Sequence, residues 1–194
     1  GENSAWTKEL NAVDAEKRKR WLTRWDPSVY IASIQAPILW VAFSNDTAYP
    51  LDSLQKSYRL LKNPCSLCVL VEFGHSHACG WSPSEIAAFV DQTLRPSVDH
   101  APLPVITAQG REENTVWVEA AYVRPITRVD LYTTADSGAW EERKWVKYSQ
   151  PVVGHETRFS CPLPEGVTVY YVNLVDDRGL VASSQHEVRV SSHE

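Results

Sequence analysis

The chain has 194 residues, 43% of them hydrophobic and 22% charged, with a formal net charge of −5. That content is too apolar for a disordered polypeptide. No run approaches the roughly 18–20 apolar residues of a membrane-spanning helix, and the acidic balance argues against a nucleic-acid binder. At about 150 residues per domain the length allows one large domain or two small ones. Four cysteines are too few for a disulfide scaffold. The chain opens at Gly1, contains no Met, and places Lys8, Lys17, Arg18, Lys19, Arg20 and Arg24 in its first 25 residues with no apolar signal segment. This is the pattern expected of a processed piece of a longer polypeptide.

Residues 5–25 read as one charged helix with interspersed Trp6, Leu10, Val13, Trp21, Leu22 and Trp25, stopped by Asp26-Pro27. The basic run Lys17–Arg20 reads as a solvated helix face. Residues 38–43 form a short, wholly apolar run, the pattern of a strand buried on both faces in a parallel sheet. A polar loop follows, then a helix over 51–61 with Leu51, Leu54, Tyr58 and Leu61 on one face, ended by Asn63-Pro64. A second buried strand covers 67–73. Ser82 is then placed to N-cap a helix, with Pro83 at its first position and Glu85 closing a capping box; Ile86, Phe89, Val90 and Leu94 form its apolar face.

Pro96, Pro102 and Pro104 mark a linker. Beyond it the period changes. Residues 115–123, 127–134, 155–161, 167–176 and 186–190 are rich in β-branched and aromatic residues. Weaker strands fall near 104–109, 144–148 and 180–183, with turn signals between them. The expected fold is therefore α/β, with parallel strands and helices, over 1–98, followed over 99–194 by an all-β immunoglobulin- or fibronectin-like sandwich.

In open parallel sheets, ligands bind beyond the carboxyl ends of the strands. The first strand delivers Asp46 there, and the second delivers His75, with His77 two positions on. An acid followed by a histidine suits the last two members of a Ser-Asp-His triad, in which the acid orients an imidazole that acts as base. The same residues also have plain readings, Asp46 as a turn residue and the histidines as surface side chains.

The runs WDPSVYI (25–31), APILWVAFSNDTAYPLDSLQKSY (36–58) and FGHSHACGWSPSEI (73–86) resemble the C-terminal part of an α/β-hydrolase. They are most similar to the acetyl xylan esterase and dienelactone hydrolase-like branch related to prolyl oligopeptidase. The second half, with LYTT (131–134) and RKW (143–145), is similar to the β-sandwich appended to some of these enzymes, so the α/β part is expected to be a partial α/β-hydrolase. The resemblance implies that Asp46 is the triad acid and that His75, with His77 as its competitor, is the triad histidine. It implies a small ester or acetylated carbohydrate as substrate, no cofactor, and a secreted or periplasmic location. The family's nucleophile sits in a G-x-S-x-G elbow upstream of the acid. Ser4, Ser28, Ser33 and Ser44 lack the flanking glycines, so the chain alone is expected to be inactive.

Other readings compete. Gly74-His75-Ser76-His77-Ala78 approximates an elbow with Ser76 as nucleophile, but it lacks the last glycine. Cys65, Cys68, His75, His77 and Cys79 are zinc-capable, yet the intervening strand separates the first two from the rest, so no metal site is expected. Cys161 alternates with Phe159 and reads as core. Trp140 and Trp145 form either a carbohydrate-stacking surface or core. The rival function is a non-catalytic carbohydrate- or protein-binding module built on the β-rich half. The expected partners include neither nucleic acid nor membrane. A sheet of two strands leaves an open edge, which predicts self-association through it.

Overall fold

The structure is a computed structural model and describes residues 7–71 and 75–189 of the chain. It opens with α1 (Thr7–Ala12) and α2 (Ala15–Trp25) in place of the single helix expected over 5–25. The break falls at Asp14, whose Oδ1 accepts from the Glu16 and Lys17 amides at 3.1 and 3.2 Å. This is N-cap chemistry, and it starts a new helix. Asp26, the residue before proline, is extended and ends α2. A short α3 (Ser28–Ile31) leads to β1 (Leu39–Phe43), α4 (Leu51–Tyr58) and β2 (Ser66–Leu70). β1 and β2 pair in parallel, Leu39 opposite Ser66 and Phe43 opposite Leu70.

Next come α5 (His77–Trp81) and α6 (Ser84–Leu94). The expected capping box is absent. Pro83 is extended and precedes the helix without a side-chain cap, and Ser82 Oγ donates instead to the Cys79 carbonyl at 2.8 Å. Glu85 is buried and accepts from the Val181 amide at 2.8 Å, nearly a hundred residues away. A tertiary partner has taken the carboxylate that the local motif would use.

The rest is antiparallel. β3 (Val105–Glu112), β4 (Thr115–Ala121) and β7 (Arg158–Pro162) form a three-stranded sheet in the order β3-β4-β7. β5 (Ile126–Thr134), β6 (Val146–Pro151), β8 (Val169–Asp176), β9 (Val181–Ser183) and β10 (Glu187–Val188) form a five-stranded one. The turn into β9 uses Gly179 at φ +81, a backbone conformation that favours glycine. Val116, Val118, Leu131, Phe159, Val172 and Leu174 close a core between the two sheets.

Every residue of β8 is buried. A strand in a two-layer sandwich hides one face and wets the other, so a third layer must cover β8. That layer is the N-terminal half. Val169 and Tyr171, on the second face of β8, pack with Ala42 of β1, Leu51 of α4, Val69 of β2 and Trp140. Polar side chains stitch the layers. Asn173 Nδ2 donates to the Val69 carbonyl at 3.0 Å. The Val69 amide donates to Ser183 Oγ at 2.7 Å, and that hydroxyl donates to Asn173 Oδ1 at 2.7 Å. Two side chains thus do for β2 what a neighbouring strand would do.

These observations overturn the expected fold class. The parallel component is one pair of five-residue strands, and the other eight strands among the described residues lie in antiparallel sheets. A partial α/β-hydrolase followed by an independent immunoglobulin- or fibronectin-like sandwich does not describe this arrangement. The apolar runs at 38–43 and 67–73 suggested a parallel sheet because such strands are buried on both faces. Here their burial comes from stacking on the outer face of an antiparallel sheet. Phe73, at the end of the second run, lies outside the described residues. The boundary expected between residues 98 and 99 falls in a 3₁₀ turn, Val98–His100.

Candidate functional site

β1 ends in a tight turn. The Ser44 amide continues the ladder onto the Leu70 carbonyl at 2.9 Å, and the Asp46 amide donates to the Phe43 carbonyl at 3.2 Å. Asp46 Oδ1 then accepts from the Ala48 and Tyr49 amides at 2.7 and 2.8 Å, an Asx turn that pins the carboxylate. Asp46 is only 7% exposed.

The chain returns from β2 at His75, whose Nδ1 lies 3.1 Å from Asp46 Oδ1 and 3.0 Å from Oδ2. A carboxylate accepts only, so the contact selects the tautomer with the proton on Nδ1 and leaves Nε2 with its lone pair. The His75 side chain is 46% exposed, and its ring leans on Tyr49 with centroids 5.6 Å apart. Both dyad members line a cleft of about 470 Å³ that runs along β1, with Tyr49, Leu54 and Ser76 among its walls. An apolar groove of about 310 Å³ shares Leu39 and Val41 with it and is closed by Trp81, Phe89 and Val90. A half-exposed base in an apolar cleft, oriented by a pinned acid, can take a proton from a hydroxyl and return it to a leaving group.

Of the two candidate histidines, the structure brings His75 to Asp46. His77 opens α5 and is exposed. Ser76 N-caps α5, its Oγ accepting from the Cys79 amide at 3.1 Å. Gly74, the first glycine of the approximate elbow, lies outside the described residues.

No cluster of three or more metal-ligating side chains occurs among the described residues. Cys68 is fully buried in β2, and burial pushes its thiol well above the ordinary value. Burial also raises Cys65, and it pushes Cys161 up to about 11. These are inert apolar thiols. Trp140 is 5% exposed beneath the Arg143 guanidinium, and Trp145 packs edge-on against Tyr171. Trp140 offers no open stacking face, and Trp145 is half-buried. Trp117 is also occupied, with Arg158 over its ring and Gly110 so close that a Cβ there would lie 2.6 Å from the indole. Lys17, Lys19 and Arg20 of α2 are exposed.

Sequence reasoning missed Asn45 and Tyr49. Tyr49 flanks the imidazole. Asn45 bonds to carbonyls 95–98 positions away, which no local pattern announces.

No family model matches the chain, and no curated protein matches it. Among solved structures, a pectate lyase from Erwinia chrysanthemi in complex with tetragalacturonic acid aligns with 44% of this chain at 14% identity and a TM-score of 0.29. The chain spans 28% of that protein's length. A likeness this slight transfers neither fold nor activity. The resemblance to the C-terminal part of an α/β-hydrolase is overturned. A domain of that family carries its nucleophile on a strand-turn-helix elbow above a parallel sheet. Here a single five-residue parallel pair rests on antiparallel sheets.

Proposed function

We propose that Asp46 and His75 are the acid and base of a carboxylic ester hydrolase whose nucleophilic serine is supplied by a segment upstream of this chain. The supporting observation is the 3.0–3.1 Å contact of His75 Nδ1 with both Asp46 oxygens, beside an apolar cleft. Acid-histidine-serine triads recur on unrelated folds and are recognised by geometry, so the reading does not depend on fold class. In this mechanism the nucleophile's proton passes to His75 Nε2 as the serine adds to the ester carbonyl. The imidazolium, steadied by Asp46, protonates the departing alcohol as the acyl-enzyme forms, and a water that gives its proton to His75 then releases the acid and restores the serine. A small ester or an acetylated carbohydrate fits the proposal. Without the serine and its oxyanion donors, turnover by this chain is slow.

The test is p-nitrophenyl acetate hydrolysis by the chain, His75→Gln and Asp46→Asn, alongside fluorophosphonate labelling read by intact mass. The chain is expected to hydrolyse the ester slowly and to take no phosphonate adduct. His75→Gln and Asp46→Asn are each expected to lose roughly tenfold or more of the rate above background. A rate untouched by His75→Gln overturns the proposal. An adduct on Ser76 overturns the external nucleophile and makes the chain a self-contained serine hydrolase.

A further inference from the structure

Asn45 stands at the corner of the turn that presents Asp46. Its amide nitrogen donates to the carbonyls of Arg143 at 2.7 Å, Glu141 at 3.2 Å and Trp140 at 3.4 Å. Its own Oδ1 accepts from Ser44 Oγ at 2.6 Å. The three carbonyls belong to the 3₁₀ turn Trp140–Glu142 and the residue that follows it. The Trp140 carbonyl also accepts from the Arg143 amide at 3.4 Å, while the final carbonyls of a helical turn lack partners within it, and the Asn45 amide meets those of Glu141 and Arg143.

The receiving loop is itself braced. The Arg143 guanidinium carbon sits 3.9 Å from the Trp140 ring centroid, and Arg143 Nε donates to the Gly138 carbonyl at 3.1 Å. The Lys144 amide donates to Asp136 Oδ2 at 2.7 Å. Asp46 is fixed within its own turn by the Phe43 carbonyl and the Ala48 and Tyr49 amides. Those bonds are internal to residues 43–49, while the Ser44 amide ties the turn to β2 through the Leu70 carbonyl. Asn45 supplies the anchor on the other side, to the antiparallel half of the chain.

We infer that Asn45 is a positioning residue: by tying the 43–46 turn to the loop at 140–143 it fixes the direction from which the Asp46 carboxylate meets His75. The inference rests on reading that pair as the acid and base of the site. It gives the antiparallel half of the chain a part in the chemistry, because the loop between β5 and β6 holds the acid's turn in place.

The test compares the full chain with Asn45→Ala and Asn45→Asp by NMR. Asn45→Asp keeps the shape but cannot donate, so it covers the case in which Asn45→Ala fails to fold. The readouts are hydrogen exchange of the Ala48 and Tyr49 amides and the signal of the His75 Nδ1 proton. In both variants those amides are expected to exchange at least tenfold faster while the β5 amides keep their rates, and the Nδ1 proton signal is expected to vanish into exchange with water. Unchanged Ala48 and Tyr49 rates with the Nδ1 signal intact overturn the inference and leave Asn45 a clamp between layers. Uniform acceleration across β5 as well overturns it in favour of general destabilisation. None of these readouts needs turnover. Failure of His75-dependent ester hydrolysis with the NMR response intact removes the hydrolase reading alone, and the converse removes the positioning role alone.

Discussion

Protonating His186 would put a positive charge among buried groups. The residue is 4% exposed, its ring meets Trp140 edge-on at 5.2 Å, and its Nε2 has no hydrogen-bond partner among the described residues. Asp52 on α4 faces it, as do Arg59 just beyond α4 and Arg143 before β6. Burial is the main cause that lowers its pKa from 6.5 to about 4, with the two arginines adding to the effect and Asp52 opposing it. The neutral form is therefore the folded form. Its contribution is complete above pH 6.5 and is lost as pH falls from 6.5 toward 4, because the unfolded chain takes up the proton first. The full shift corresponds to about 3 kcal/mol. Unfolding free energies from urea curves at pH 7.5 and 4.5 are expected to differ by roughly 2 kcal/mol more in the parent than in His186→Leu. Equal pH dependence in the two proteins would refute this. At this scale Asp46 and His75 were legible because each follows an apolar strand, the place where a parallel sheet presents ligand-binding loops. Asn45 and His186 were not legible, since their partners lie 95–98 and 131 positions away in sequence.

Among the elements, β8 carries the most consequence. The sequence of β8 announces a strand but not its burial on both faces, because Tyr171 and Asn173 alternate with Val172 and Leu174 much as an outer face would. Strand positions in the second half followed from β-branched and aromatic runs, which reflect local sterics. The α1–α2 break and the absent capping box did not follow. Asp14 made a cap inside a helical pattern, and Glu85 left its box for Val181. The parallel sheet, among the described residues, is the two-stranded β1-β2 pair. The polar bridge at Asn173 is where stability should be most sensitive. Asn173→Ala removes the donor to the Val69 carbonyl and the acceptor for Ser183 Oγ, leaving buried polar groups unmatched. It is expected to lower stability by about 2–4 kcal/mol and to speed exchange of the Val69 amide. A loss under about 0.5 kcal/mol, the ordinary range for a surface substitution, would show that the bridge is dispensable.

Over the whole molecule, the division drawn from the sequence at residues 98–99 separates two patterns, while the packing joins them. β8 serves both cores, giving Tyr170, Val172 and Leu174 to one and Val169 and Tyr171 to the other, where they pack with Ala42 and Leu51. Gln55 of α4 donates to the His186 carbonyl at 2.9 Å, and Arg59 Nε donates to Gln185 Oε1 at 2.8 Å. Shared burial of this kind couples unfolding. Urea curves followed by far-UV circular dichroism and by tryptophan fluorescence are expected to coincide in a single transition. Two separated transitions would mean that the halves unfold independently.

The Val69–Asn173 bridge spans 104 positions, and that distance has a consequence during synthesis. Ribosomes extend chains at roughly 5–20 residues per second. The apolar β2 strand therefore waits roughly 5–20 s after it is made before the side chain that completes its outer edge has been translated. Throughout that interval β2 is a sticky, half-finished strand on a nascent chain. The layer that holds β2 is made before β8 and is finished only after it, so its yield in a cell depends on what shelters that strand until β8 arrives.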